Sequence, residues 1–95
     1  MAEPTSPITQ AMTLCNKRGL HARAAARFAA AAEEFESDVE VAFDGRRVNG
    51  KSIMGLMMLA AACGKTIEVT ADGPDATEAI EAIDRLVGSR FHESE

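Results

Sequence analysis

Val39-Glu40-Val41-Ala42-Phe43-Asp44-Gly45-Arg46-Arg47-Val48-Asn49 is the stretch that decides the fold. Val39, Val41 and Phe43 alternate with Glu40, Ala42 and Asp44, the two-residue period of a half-buried strand. Asp44-Gly45 is a good two-residue hairpin turn, because such turns need residues that tolerate positive φ. The chain therefore returns along Arg46 to Asn49 as an antiparallel partner, and the segments on either side have to be fitted to an antiparallel sheet.

Working outward, Ile8 to Leu14 places Ile8, Met12 and Leu14 on one face and Thr9 and Thr13 on the other, which predicts a strand. After a loop from Asn16 to Leu20, Phe28, Ala31, Ala32 and Phe35 recur at helical spacing and predict a helix from His21 to about Glu36. Beyond the hairpin, Ser52 is a good N-cap for the apolar run Ile53 to Cys63, with Gly64 as its stop and Gly55 as a weak point that shortens it. Thr66 to Ala71 alternates again, with Ile67 and Val69 inward. Asp72-Gly73-Pro74-Asp75 then opens a last helix in which Ala76, Ala79, Ile80, Ile83 and Val87 share a face. The order β-α-β-β-α-β-α calls for an α+β fold, a two-layer open-faced sandwich with three helices on one face of a four-stranded antiparallel sheet.

The chain has 95 residues, enough for one domain burying roughly 60 to 68% of its unfolded surface. That domain is expected over 8–90, with a flexible N-terminus (1–7) and a frayed tail (91–95). Ten Lys and Arg against fifteen Asp and Glu leave a net charge of -5, and there is no Trp or Tyr to stack on bases, so nucleic-acid binding is not expected. No apolar run reaches the roughly 18 residues of a membrane span. Cys15 and Cys63 are isolated thiols in a chain able to build a core without staples, which favours a reducing, cytoplasmic setting. A disulfide between them is compatible with the sequence and unneeded by it.

Charge is unevenly spread. From Pro4 to Ala32 there is no acidic residue, while Lys17, Arg18, Arg23 and Arg27 surround His21. His21 stands where the glycine-containing loop becomes the first helix, beside unpaired N-H groups and the positive end of the helix dipole. Such a place disfavours imidazolium, leaves a neutral nucleophilic ring and welcomes an anion such as phosphate. A lone histidine is more often without a task, and Arg23 and Arg27 are equally consistent with arginines that spread into solvent.

Gly19-Leu20-His21-Ala22-Arg23 and Lys51-Ser52-Ile53-Met54-Gly55, set some thirty residues apart on the right element boundaries, resemble the histidine-containing phosphocarrier family, HPr, of the bacterial phosphoenolpyruvate-dependent phosphotransferase system. The resemblance covers about residues 8–90. It implies that His21 accepts a phosphoryl group on Nδ1 from enzyme I and passes it to IIA components, as a carrier more than an enzyme and without a cofactor. It further implies that Arg23 is the active-site arginine, with the Ala22 and Arg23 N-H groups holding the phosphoryl oxygens. Ser52 matches the regulatory serine that an HPr kinase/phosphorylase modifies in some bacteria, although its pattern alone says only N-cap. One departure is Ala24, where family members commonly carry proline; it keeps a helix former and adds an N-H.

Docking is expected to involve Asn16, Arg27, Ile53, Met54 and Met57, with Arg46, Arg47 and Lys51 as a basic rim that a hairpin's solvated face explains equally well. Methionines suit a surface that fits several partners, though methionine stripes are more often core. A carrier that docks serially is best served as a monomer. Without the two motifs, the element order would first suggest a ferredoxin-like interaction or small-metabolite module with no covalent phosphate. A metal site from His21, Cys15, Cys63 and His92 lacks any ligand spacing and is set aside.

Overall fold

A computed structural model describes residues 7–93. Of the N-terminal segment expected to be flexible, all but Pro7 lies outside the described residues. The chain runs β1 (Ile8–Thr13), α1 (Ala22–Glu33), β2 (Asp38–Phe43), β3 (Arg46–Asn49), α2 (Ile53–Met58), β4 (Thr66–Asp72) and α3 (Ala76–Gly88), followed by a tight turn at Arg90–His92. The hairpin forms as read, with Val41 opposite Val48 and Phe43 opposite Arg46. β4 inserts between β1 and β2, antiparallel to both, so the strand order is β1-β4-β2-β3.

Alternation divides the sheet's two faces. Met12, Val39, Val41, Ile67 and Val69 point to the helical layer and are buried. On the open face Thr9 meets Thr70 and Thr13 meets Thr66, hydroxyl to hydroxyl at 2.8 and 2.9 Å, the cross-strand pairing that stabilises a solvated ladder. From the helical side, Ala24, Ala25, Phe28, Ala29 and Ala32 of α1 and Ala79, Ile80, Ile83 and Val87 of α3 close the core. Small alanines on α1 let it lie close while Phe28, fully buried, fills the middle.

Two helices end earlier than the sequence suggests. α1 stops at Glu33 and tightens into i→i+3 bonds, Glu34 N to Ala31 O and Phe35 N to Ala32 O, as befits an end carrying acids at the negative pole. Lys51 Nζ donates to Phe35 O at 2.9 Å and supplies the missing cation. α2 stops at Met58 because Ala60 turns to φ 54°, which frees the Ala61 carbonyl to accept from Leu20 N at 2.9 Å.

Of the tail expected to fray over 91–95, residues 94 and 95 lie outside the described residues, and Phe91–Glu93 pack against the fold. Phe91 is fully buried in the core. Arg90, Phe91 and His92 all have φ between 55° and 61°, a left-handed turn that costs non-glycine residues roughly 1–2 kcal/mol each. Burial of the Phe91 ring and three polar contacts described below offset that strain.

Candidate active site

The loop between β1 and α1 is built on Asn16. Its carbonyl accepts from Gly19 N at 3.2 Å while its Nδ2 donates to Gly19 O at 2.8 Å, so the chain turns back on itself within four residues. Gly19 sits at φ 62° with the next segment directly beneath it; a Cβ there would stand 2.2 Å from Ala61 O and 2.8 Å from the Ala62 Cα. Only glycine fits both the backbone angle and the contact. Leu20 is buried and tied to Ala61, which fixes where His21 begins the helix.

His21 is the N-cap residue of α1, extended at φ -76° and ψ 179°, and its carbonyl accepts the first helical bond from Ala25 N at 2.8 Å. The N-H groups of Ala22, Arg23 and Ala24 therefore have no acceptor within the helix. Ala22 and Arg23 are exposed and Ala24 is buried, so two of those donors lie on residues open to an incoming anion. Arg23 makes no ion pair among the described residues. It stands two residues after His21, in the first turn at the positive end of the helix.

Sequence reasoning missed one partner altogether. Glu93 Oε2 lies 2.6 Å from His21 Nε2, with the two side chains 12% and 20% exposed. Asn16 Nδ2 donates to Glu93 Oε1 at 3.2 Å, and Arg27 donates from Nη1 to the Phe91 carbonyl. The tail is thus held over the start of α1 from three directions. Burial pushes the Glu93 carboxyl up, but hydrogen bonds from His21 and Asn16 and the charges of His21 and Arg27 outweigh it and hold the group below its ordinary value. The environment of His21 is consequently mixed, with cations on the helix side and a carboxylate on the ring, where the sequence suggests cations alone.

That carboxylate has a chemical consequence. An ionised carboxylate only accepts hydrogen bonds, so the contact requires the proton of the neutral ring to be on Nε2 and the lone pair on Nδ1. Among the described residues nothing bonds to Nδ1.

Two expected docking residues turn out to face inward or to be engaged. Asn16 is fully buried; both its Nδ2 partners are acceptors, which fixes the amide, and Oδ1 is left without a hydrogen bond among the described residues. It shapes the loop and does not reach the surface. Arg27 is half-buried and anchors the tail. By contrast Ile53, Met54 and Met57 on α2 are 44%, 70% and 39% exposed, and Met58 adds 66%. Ser52 Oγ accepts from Gly55 N at 3.0 Å as the N-cap of α2. Arg46 bonds Met58 O and Arg47 pairs with Glu40.

A surface hollow of about 440 Å³ on the open face of the sheet is lined by Arg46 and Arg47 of the expected basic rim, and by none of His21, Arg23, Ser52 or the exposed residues of α2. No three His, Cys, Asp or Glu side chains among the described residues cluster as metal ligands would, and no described helix is long and apolar enough to cross a membrane.

Comparison with known proteins gives one answer. Residues 8–89 match the family model described as PTS HPr component phosphorylation site. The chain is 50% identical over 88 residues to a phosphocarrier protein HPr of Neisseria meningitidis, covering 93% of this chain and 99% of that one. It is 49% identical over 83 residues to the phosphocarrier protein HPr of Cupriavidus necator, covering 87% and 93%. The crystal structure of an HPr from Thermoanaerobacter tengcongensis superposes with a TM-score of 0.88 at 41% identity, over 93% of this chain and 99% of that one.

Proposed function

The chain belongs to the HPr family of phosphotransferase-system phosphocarriers, and from that premise we propose that His21 Nδ1 is the atom that carries the phosphoryl group, received from enzyme I and passed to IIA components. The observation that carries this reading is that Glu93 occupies Nε2 of the ring while, among the described residues, nothing bonds to Nδ1. Nδ1 attacks the phosphorus of the donor's phosphohistidine in line, an N-P bond forms as the donor's N-P bond breaks, and no proton has to leave His21. The positive charge that develops on the ring is shared with the Glu93 carboxylate, in the manner of an acid that orients a catalytic imidazole. The Ala22 and Arg23 N-H groups and the Arg23 guanidinium receive the phosphoryl oxygens. The protein is a phosphoryl carrier, acted on by enzymes at both steps.

The exposed apolar face of α2 supports docking through Ile53, Met54 and Met57, and the segment that follows α2 lies under Gly19 of the nucleophile's loop. Ser52 stands at the edge of that face. A phosphate placed there by a kinase/phosphorylase of the HPr type would add about -1.5 to -2 charges beside the docking residues without altering the fold. A cytoplasmic, monomeric carrier suits serial encounters with unlike partners.

Incubation of the purified chain with enzyme I and phosphoenolpyruvate tests the assignment by intact mass. One acid-labile, alkali-stable phosphate is expected, absent from His21→Ala. A phosphate retained by His21→Ala removes His21 from the carrier role, and no phosphate on the native chain returns it to the class of binding modules.

A further inference from the structure

Leu14 continues β1 past its last regular pair and meets two residues of the opposite segment. Its N-H donates to Lys65 O at 2.9 Å and its carbonyl accepts from Gly64 N at 2.7 Å, with Gly64 at φ 87°. This is the bonding of a glycine bulge, one residue facing two. The next residue outward on one segment is Cys15, and on the other Cys63. The peptide that leads from Leu14 into Cys15 is thus hydrogen-bonded to the peptide that leads from Cys63 into Gly64, so the two cysteines flank one hydrogen bond at the turn that Lys65 N closes on Ala62 O. Both thiols are free and exposed. Cys15 Sγ rests 3.3 Å from Val87 O, a weak donor contact that a χ1 rotation gives up.

We propose that Cys15 and Cys63 are a redox-modifiable pair, forming an intramolecular disulfide on contact with a low-molecular-weight disulfide such as oxidised glutathione. One thiolate attacks a glutathione sulfur, forms a mixed disulfide and releases one glutathione thiol. The second thiolate then attacks the protein sulfur of that mixed disulfide and releases the other. The two protein thiols are oxidised, the glutathione disulfide is reduced, and the two thiol hydrogens end on glutathione.

The position makes the bond consequential. It ties the residue just before the Asn16–Leu20 loop to the turn whose Ala61 and Ala62 lie under Gly19 and whose Ala61 carbonyl holds Leu20 N, immediately before His21. It also closes a loop containing α1, the hairpin and α2, which restricts the unfolded chain more than the folded one. Any effect on phosphoryl transfer rests on the function proposed above; the bond itself does not.

The full chain is incubated with oxidised glutathione and read by intact mass, peptide mapping, thermal unfolding and amide exchange. Expected are the loss of two hydrogen masses, a linked Cys15–Cys63 peptide, a Tm raised by several degrees and slower exchange at the Leu20 amide. Cys15→Ser and Cys63→Ser each end as a single glutathione adduct. A native chain that ends with two glutathione adducts, or as disulfide-linked dimers, overturns the pairing. Failure of His21 to accept phosphate in either redox state removes the carrier function and leaves the disulfide standing.

Discussion

Glu93 sets the tautomer of His21, and the effect is measurable without any partner. With its carboxylate 2.6 Å from Nε2, the neutral ring holds its proton on Nε2 and presents Nδ1 unprotonated. Ring ¹⁵N shifts of the native protein at a pH where His21 is neutral are expected to show that single tautomer, and Glu93→Ala to show a mixture. Phosphoryl acceptance by Glu93→Ala should fall by roughly ten-fold, the lower end of the loss when a carboxylate that orients a metal-bound histidine is removed. A single unchanged tautomer in Glu93→Ala would contradict the role. The placement of His21 and Arg23 at the start of α1 was legible, since a histidine between a glycine loop and an acid-free helix start is a local pattern. Glu93 was not, because its approach depends on three consecutive left-handed residues, Arg90, Phe91 and His92, and no periodicity announces a turn built against steric preference. Asn16, expected among the docking residues, is buried, and a loop asparagine gives no sign of which backbone groups it will satisfy.

At the scale of elements, α2 shows how one residue holds two roles apart. It has only the six residues Ile53–Met58, with Leu56 alone buried, so it depends on its cap more than a longer helix would. Ser52→Ala removes the acceptor for Gly55 N and should cost about 1 kcal/mol, visible as a lowered urea midpoint. Ser52→Asp keeps an N-cap oxygen and adds a negative charge at a favourable pole, so its midpoint should stay near that of the native chain. Its transfer from enzyme I should nevertheless slow, because the charge stands beside exposed Ile53 and Met54. Equal transfer rates for Ser52→Asp and the native chain would separate Ser52 from docking. Strand and helix identities here followed from period and turn chemistry, as the Asp44-Gly45 hairpin illustrates. The helix ends did not, because α1 and α2 are cut short by tertiary acceptors and donors, Lys51 on Phe35 and Leu20 on Ala61, that lie far away in sequence.

At the scale of the molecule, α3 is latched to both ends of α1 by carboxylates. Before α3, Asp75 accepts from Ser37 Oγ at 2.5 Å and from the Ser37 and Glu36 amides at 2.9 Å, just past the end of α1. After α3, Glu93 reaches His21 at the start of α1. The Ser37 hydroxyl, followed by the Glu36 amide, holds Asp75 below its ordinary 3.8, and the bonds from His21 and Asn16 hold Glu93 below its ordinary 4.5 against the opposing effect of burial. Both groups are depressed acids, so in each case the unfolded chain takes up a proton before the folded one does. Their contribution to stability is therefore complete above the ordinary values and is lost as pH falls through the lower folded ones. Urea midpoints should decline through that acid window as the two latches open, whatever other groups contribute at higher pH. The double variant Asp75→Asn/Glu93→Gln should start less stable near neutrality and lose less between pH 5 and 3, because its latches no longer titrate. An acid decline as steep in the double variant as in the native chain would show that the two helices are held together by their buried faces alone.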